Sequence, residues 1–186
     1  MVQNRDDLGL EIILLLLKGE NHLRSIARAL ESSHSTILRR LNKLVIENVL
    51  DYKKEGKNKV FFIKNTLEAK NYIFNAERYK LIKLLKKYPE LGIIISDVLK
   101  KTREKMIILF GSYAKFRAKK DSDIDIYVET RDKKVKKELE FINSKIRIKI
   151  GTFDTSSLLI KEIVKDHIIL RGVERFYEKT KFLERT

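Results

Sequence analysis

Two aspartates separated by one residue are the clearest chemical feature of this chain. Asp123 and Asp125 alternate with the apolar residues Ile124 and Ile126. In a β-strand, residues i and i+2 face the same side, so this spacing places both carboxylates on one face. Neighbouring carboxylates repel each other unless a cation lies between them. Mg²⁺ takes such oxygen ligands and is usually held by one or two carboxylates plus substrate phosphates. The pattern therefore predicts a magnesium site.

A Gly-Ser pair precedes these aspartates, with ten residues between Ser112 and Asp123. Gly111 and Ser112 follow the apolar run 105–110 and begin a short stretch with a helical pattern. The first turn of a helix leaves backbone N–H groups without intrahelical partners, and these groups can receive a phosphate. A phosphate-binding turn beside a metal site is suited to a nucleoside triphosphate that carries magnesium.

The segment from Gly111 to Asp125 resembles the signature of the nucleotidyltransferase superfamily related to DNA polymerase β, especially its minimal members. That signature runs Gly-Ser, ten residues, Asp-x-Asp, and Ser122 before the first aspartate also agrees. The resemblance implies transfer of a nucleoside monophosphate from an NTP, with ATP as the expected nucleotide and Mg²⁺ as cofactor. It implies Gly111, Ser112 and Ser122 as nucleotide-binding residues, and Asp123 and Asp125 as catalytic residues and metal ligands.

The sequence departs from these relatives at two places. Phe116 stands where relatives usually carry a glycine. Active relatives also place a third carboxylate on a neighbouring strand, but the candidate strand 145–153 carries Arg147 and Lys149 between its isoleucines, and Asp154 is the nearest acid. A cation beside the two aspartates would neutralise them without any metal, which favours binding without chemistry. A catalytic and a non-catalytic interpretation therefore both stay open.

The composition limits the classes of protein and partner. The chain has 186 residues and no cysteine, which excludes disulfides, thiolate catalysis and cysteine-based zinc sites. A net charge of +15 favours a polyanionic partner, nucleic acid first. The longest apolar run, residues 12–17, is far shorter than the ~20 residues that span a bilayer. The N-terminus also lacks the pattern of a signal peptide, so we expect a cytoplasmic protein without a membrane partner.

The first 65 residues show the order helix, helix, helix, hairpin. The apolar periodicity predicts helices over 8–18, 22–30 and 34–47. Asn21 and Ser33 are the expected N-caps of the second and third helix. Two short strands then flank a turn that contains Gly-Lys-Asn.

This half resembles the winged helix-turn-helix domain of archaeal and bacterial transcription regulators. Residues 23–30, followed by Ser-Thr-Ile, are similar to the second and third helices of that fold, and the hairpin would be its wing. The resemblance implies DNA contacts through short hydroxyl and basic side chains. The candidates are Ser35, Thr36, Arg39, Arg40 and Lys43 on the third helix, and Lys53, Lys54, Lys57 and Lys59 on the hairpin. Some winged helices bind proteins, so docking or dimerisation is the alternative.

We therefore predict an α+β protein with two domains joined by a helix. A winged helix-turn-helix domain covers 1–65, a connecting helix covers 66–89, and a nucleotidyltransferase-like α/β domain with a small mixed sheet covers 90–186. The absence of a Gly- or Ser-rich linker favours a stiff connection, which would also support a homodimer.

The predicted function is that of a DNA-binding protein with a minimal nucleotidyltransferase domain, of the archaeal type. It would bind NTP with Mg²⁺ and transfer a nucleoside monophosphate to an acceptor that the sequence does not identify. One alternative is a transcription regulator whose nucleotidyltransferase scaffold is degenerate. Another is an antitoxin, because minimal nucleotidyltransferases resembling this chain occur as partners of HEPN-type ribonuclease toxins.

Overall fold

The computed structural model describes residues 7–181, and within that range it contains nine α-helices and seven β-strands. In chain order they are α1 (Asp7–Leu16), β1 (Asn21–His22), α2 (Leu23–Ala29), α3 (His34–Ile46), β2 (Leu50–Glu55), β3 (Asn58–Ile63), α4 (Leu67–Lys87), α5 (Leu91–Lys101), β4 (Ile107–Phe110), α6 (Gly111–Ala114), β5 (Ile124–Glu129), α7 (Lys133–Glu140), β6 (Ile146–Gly151), α8 (Leu158–Lys165), β7 (Ile168–Arg171) and α9 (Val173–Thr180).

The chain divides into two compact units, and the division falls within α4. The first unit extends to Glu77, and the second begins at Arg78. Each unit has its own sheet. Among residues 7–181, no helix combines the length and the apolar character needed to cross a membrane.

The N-terminal unit packs helices α1 to α3 with an antiparallel sheet of order β1-β3-β2. Its core contains fully buried residues from all three helices, including Ile12, Ile26 and Ile37. The start of α3 confirms the predicted cap, because the hydroxyl of Ser33 accepts a hydrogen bond from the backbone N–H of Thr36 at 3.2 Å. This cap satisfies one of the amide groups that a helix start leaves unpaired.

The predicted cap at Asn21 is wrong. Asn21 lies in β1, opposite Phe61 of β3, and its side-chain oxygen accepts a hydrogen bond from the His22 N–H at 2.9 Å. The residue that precedes α2 is His22, whose side chain makes no capping bond. The segment before α2 instead forms a third strand that pairs with the hairpin. Because the paired residues lie far apart in the sequence, a local capping pattern does not predict this strand.

The C-terminal unit contains a mixed sheet of order β6-β5-β4-β7, which confirms the predicted small mixed sheet. Strands β5 and β6 run parallel, whereas β4 is antiparallel to both β5 and β7. Alternate residues of β5 face opposite sides. Ile124 and Ile126 are buried in a core shared with α5 and α7. On the other face, the Tyr127 ring contacts Phe153, which contacts Phe176 of α9.

The last strand also secures the end of α5. Arg171 of β7 donates hydrogen bonds from its guanidinium to the carbonyl oxygens of Leu99 at 2.5 Å and Thr102 at 2.6 Å. These carbonyls belong to a helix end, where intrahelical donors are lacking. Gly172 follows with φ +85°, and its backbone approaches the carbonyl of Lys105 so closely that a Cβ would not fit. Glycine is therefore required at this position.

Candidate nucleotide site and basic surfaces

The Gly-Ser turn lies directly against the second aspartate. Phe110, the last residue of β4, pairs with Asp125 of β5, so Gly111 begins α6 beside that carboxylate. Gly111 has φ +71°, and a Cβ added there would overlap Asp125 Oδ2. The glycine is thus needed both for its left-handed backbone and for the close approach of the carboxylate. The structure brings together the two parts of the sequence motif.

The backbone of Phe116 has a conformation that glycine favours. Its φ is +55°, in the left-handed region that a residue with a side chain rarely adopts. The Lys87 ammonium donates a hydrogen bond to the Phe116 carbonyl oxygen at 2.7 Å, and the Phe116 side chain packs at the edge of the core. Here side-chain packing accompanies a backbone conformation that glycine adopts without strain.

Ser122 shapes the turn that leads into the first aspartate. Its hydroxyl accepts a hydrogen bond from the Lys119 N–H at 2.8 Å, and its own N–H donates to the Lys119 carbonyl at 3.0 Å. These bonds fix the turn immediately before Asp123. A direct contact between Ser122 and a nucleotide stays a prediction.

The two aspartates lie next to a fixed arginine. Asp123 precedes β5 and is exposed, and its Oδ1 is 3.2 Å from Arg147 Nη2. In the parallel pairing of β5 and β6, Arg147 stands opposite Asp125. Its other terminal nitrogen donates to the carbonyl oxygens of Ser144 at 2.7 Å and Ile146 at 3.1 Å. Three contacts therefore hold this guanidinium beside the predicted metal ligands.

The electrostatics at Asp125 still favour the arrival of a cation. Burial raises the pKa of Asp125, and the negative charges of Asp123 and Glu162 raise it further. Lys149 and Arg147 act in the opposite direction, but the pKa remains above its ordinary value. Burial and the two neighbouring acids thus make the charged form of Asp125 costly, and a bound divalent ion would offset that cost.

Glu162 is a site residue that the sequence analysis missed. Helix α8 starts at the Ser157 cap, whose hydroxyl accepts from the Ile160 N–H at 3.2 Å, and Ile160 and Ile163 are buried. The Glu162 carboxylate lies 3.1 Å from the Lys115 ammonium at the end of α6. No local pattern carries this information, because tertiary folding alone brings α8 to the Gly-Ser turn.

The donor set fits a magnesium ion that arrives with a triphosphate. Asp123 and Asp125 supply carboxylate oxygens, and Mg²⁺ is commonly held by one or two carboxylates plus substrate phosphates. Across residues 7–181, no three acidic or histidine side chains gather in a way that could hold a metal by themselves. Asp154 accepts hydrogen bonds from the Ser156 backbone at 2.9 Å and hydroxyl at 2.8 Å, which lower the pKa of Asp154 and fix it in the turn before α8.

Residues 93–176 match the family model described as polymerase beta, nucleotidyltransferase. The match supports a nucleotidyltransferase domain in this part of the chain. A solved structure described as a toxin-antitoxin with AMP-PNP shares 25% identity and has a TM-score of 0.36. The alignment covers 57% of this chain and 84% of that chain. No curated protein matches this chain.

The nucleotidyltransferase match spans both the Gly-Ser turn and the two aspartates. It also spans β6, where Arg147 and Lys149 occupy the face on which a third carboxylate was expected. Arg147 and Lys149 therefore lie close to the aspartates, as the sequence predicted, and Arg147 forms an ion pair with Asp123.

The predicted DNA contacts of the third helix have different surroundings. The Ser35 and Thr36 hydroxyls lie 3.0 and 2.9 Å from the Ser33 hydroxyl. Arg39 is exposed, but Arg40 is only partly exposed and lies against α1, where a Cβ at Gly9 would be 2.7 Å from its Nε. Lys43 is 3.6 Å from Glu47. Arg39 is thus the cation of this helix best placed to meet a partner.

The hairpin lysines also divide into two pairs, one with side-chain partners and one without an ion pair. Lys53 lies 2.7 Å from Glu20 and 3.3 Å from Glu55. The Lys59 ammonium lies 3.8 Å from the centre of the Tyr52 ring, a cation–π contact. Lys54 and Lys57, by contrast, are exposed and form no ion pair with any described residue.

An open groove of about 420 Å³ is lined in part by basic residues that the sequence analysis did not nominate. Arg24 and Arg28 of α2 and His34 of α3 contribute to its lining. The apolar periodicity of α2 predicts that both arginines are exposed, but it does not predict that they border a groove.

Proposed function

We propose that the C-terminal unit binds an NTP with Mg²⁺ and transfers its nucleoside monophosphate to an acceptor. The close fit of Gly111 against Asp125 carries this proposal, because the Gly-Ser turn and a partly buried carboxylate lie side by side, as binding of a metal-bound triphosphate requires. The family match over residues 93–176, which includes both residues, also supports it.

Each group has a defined part in this mechanism. The backbone N–H groups of the Gly111–Ser112 turn would bind phosphate oxygens, while Asp123 and Asp125 would hold the ion. When bound, Mg²⁺ would neutralise charge that develops on the transferred phosphoryl group. Phe116 would keep the loop after the turn in its observed path.

Loss of both carboxylates tests this function directly. In the Asp123→Asn and Asp125→Asn double variant, we expect Mg²⁺-dependent label transfer from labelled ATP to be abolished, because amides replace both charged ligands. Circular dichroism and thermal unfolding should show a folded protein. Equal transfer by the variant and the wild type would exclude these residues as the catalytic centre.

One observation favours a second function, that of a nucleotide-binding regulator without catalysis. Arg147 is held by Asp123 and by two backbone carbonyls, so it can neutralise a carboxylate without a metal. Under this alternative, ATP would bind with similar affinity in EDTA and in Mg²⁺, and no labelled product would form.

For the N-terminal unit we propose a winged helix that binds duplex DNA. Its element order and three-stranded sheet support this assignment, and its exposed cations suit phosphate contacts. We expect the variant Arg39→Gln, Lys54→Gln, Lys57→Gln to weaken duplex binding in fluorescence anisotropy. The matched control loses three exposed lysines of α7: Lys133→Gln, Lys134→Gln, Lys137→Gln. Equal affinity of both variants would remove the DNA assignment.

A homodimer and a HEPN-type toxin partner stay predictions from the resemblances. Light scattering of the purified protein tests the dimer. Co-expression with a HEPN-type protein, followed by purification of the pair, tests the antitoxin alternative.

A further inference from the structure

Three cations alternate along β6 and the residue that precedes it, and we refer to them as the cationic row: Lys145, Arg147 and Lys149. The Ile124 N–H donates to the Lys145 carbonyl at 2.8 Å, and Arg147 stands opposite Asp125 in the strand pairing. All three side chains are exposed, and β6 is an edge strand. The row therefore runs along the outside of the sheet beside the two aspartates.

A second group of cations reaches the same region from the loop after α6. This basic loop contains Lys115, Arg117, Lys119 and Lys120, all exposed. It connects the Gly-Ser turn to Asp123, and the Lys145 ammonium donates to the Lys120 carbonyl at 2.7 Å. The hydrogen bond joins the basic loop to the start of the cationic row, so the two groups form one continuous basic surface.

The spacing of the cationic row exceeds the needs of a single triphosphate. Alternate residues of a strand are about 6.6 Å apart, so the row extends about 13 Å. Such spacing suits successive phosphates of an extended polynucleotide, whereas the phosphates of an NTP are directly bridged and lie closer together. Among the described residues, Arg117, Lys119, Lys120 and Lys149 form no direct ion pair, although Lys149 is close enough to Asp125 to act on its charge. Their charge is thus available to a ligand larger than a nucleotide.

We propose that the cationic row and basic loop bind the backbone of a single nucleic-acid strand, and that the hydroxyl at the end of this strand is the acceptor. This assignment rests on the proposed nucleotidyltransferase function. The surface is positively charged, and the neighbouring Tyr127 is buried, so its ring is not available to stack on a base. The strand would therefore be bound through its phosphates, with a weak preference for base sequence. The strand end reaches the aspartates because Arg147 of the row stands opposite Asp125, while Lys149 stands further along, opposite Tyr127.

The transfer step balances without a further reactant. The terminal hydroxyl oxygen forms a bond to the α-phosphorus of the NTP, and the bond from that phosphorus to the pyrophosphate oxygen breaks. Pyrophosphate leaves with the electron pair, and the hydroxyl proton passes to solvent. The strand becomes one nucleotide longer.

The binding test compares two variants that each lose three lysine charges. The first, called the row variant, loses two lysines of the basic loop and one of the cationic row: Lys119→Gln, Lys120→Gln, Lys149→Gln. The control is again Lys133→Gln, Lys134→Gln, Lys137→Gln. Helix α7 packs through Leu139 against the sheet face opposite the cationic row, so the control charges lie elsewhere. Both carry Arg39→Gln, Lys54→Gln, Lys57→Gln, which removes the proposed duplex-binding cations of the N-terminal unit.

Fluorescence anisotropy with labelled single-stranded RNA and DNA of about 12 nucleotides measures affinity from about 50 to 200 mM salt. Since each phosphate contact contributes about 0.7 to the salt slope of a single strand, the row variant should lose about 2 from that slope. We also expect its affinity at low salt to fall at least about tenfold, with the control unchanged. Equal binding by the row variant and the control would overturn the proposal.

A transfer assay separates this inference from the proposed function. With labelled ATP and Mg²⁺, the wild type should add label to an unlabelled strand, and the row variant should do so at least about tenfold more slowly. Label on the protein or a small molecule, with none on the strand, would overturn the strand as acceptor and retain the transferase. Absence of label on every acceptor would overturn both. If the row variant loses ATP affinity and the wild type binds no strand, the row is a triphosphate site instead.

Discussion

Arg147 Nη2 lies 3.2 Å from Asp123 Oδ1, on the strand where a third carboxylate was expected. The remaining guanidinium contacts are backbone carbonyls, so the arginine has few alternative positions. A metal ion that binds Asp123 must therefore compete with a cation that is already in place. This competition makes the site dependent on the phosphates that accompany the metal.

Replacement of Arg147 should strengthen metal binding. The pair is half exposed, and such ion pairs contribute about 0.2–1 kcal/mol, so Arg147→Gln should tighten Mn²⁺ binding by up to about fivefold. Isothermal titration with Mn²⁺ measures this, and the exposed Arg131→Gln is the control for the loss of one charge. Unchanged or weaker binding in Arg147→Gln would show that the arginine does not compete with the ion.

Gly111→Ala should destabilise the C-terminal unit, whereas Gly92→Ala should not. At Gly111, a Cβ meets Asp125 and the backbone is left-handed, which costs about 1–2 kcal/mol or more. At Gly92, in α5, a Cβ meets nothing within 4 Å, and alanine should gain up to about 1 kcal/mol. Calorimetric unfolding of both variants tests the contrast. Equal melting temperatures would mean that the turn adjusts freely around the added methyl group.

At Phe116, replacement by glycine should reduce stability less than replacement by alanine. Phe116→Ala removes the packing and keeps the left-handed backbone strain, while Phe116→Gly removes both. We expect the glycine variant to be more stable than the alanine variant by about 1 kcal/mol, although glycine normally destabilises an ordered segment. Chemical denaturation with a shared slope measures the difference. An alanine variant at least as stable as the glycine variant would show that the strain is absent.

Asp125→Asn should stabilise the protein at neutral pH. Burial, Asp123 and Glu162 raise the pKa of Asp125, so its ionisation costs stability above its native pKa. That cost disappears as the pH falls through the native pKa, so the variant and the wild type should converge in acid. Melting temperatures across a pH series measure this. A variant that is less stable than the wild type at pH 7 would contradict the argument.

Replacement of Glu129 should have the opposite effect on stability at neutral pH, measured by the same pH series of melting temperatures. Burial alone would raise the pKa of Glu129, but hydrogen bonds from Arg175 and Lys179, at 2.5 and 2.8 Å, outweigh it and the pKa is lowered. Its stabilisation is present above the unfolded pKa and is lost as the pH falls through the lower native pKa. Glu129→Gln should therefore destabilise the protein at neutral pH, with the difference shrinking in acid.

Periodicity and spacing predicted the parts of the site that lie along single elements. Alternation of Asp and Ile in β5 predicted which face carries the carboxylates, and the same rule placed Arg147 and Lys149 on one face of β6. Glu162 could not be predicted, because its position depends on where α8 folds back. The strand at Asn21 was missed for a similar reason, since it depends on a hairpin that lies far along the sequence.

The Arg171 contacts have a consequence for how the C-terminal unit is made. Strand β7 pairs with the central strand β4, and Arg171 completes the end of α5, although both partners are synthesised about 60 to 70 residues earlier. Until residues 168–171 have left the ribosome, β4 has an unpaired edge, and the carbonyl groups at the end of α5 lack the Arg171 donor. A nascent chain that stalls before this point would thus expose unpaired backbone groups of β4 to neighbouring chains, and emergence of β7 is the event that permits completion of this sheet.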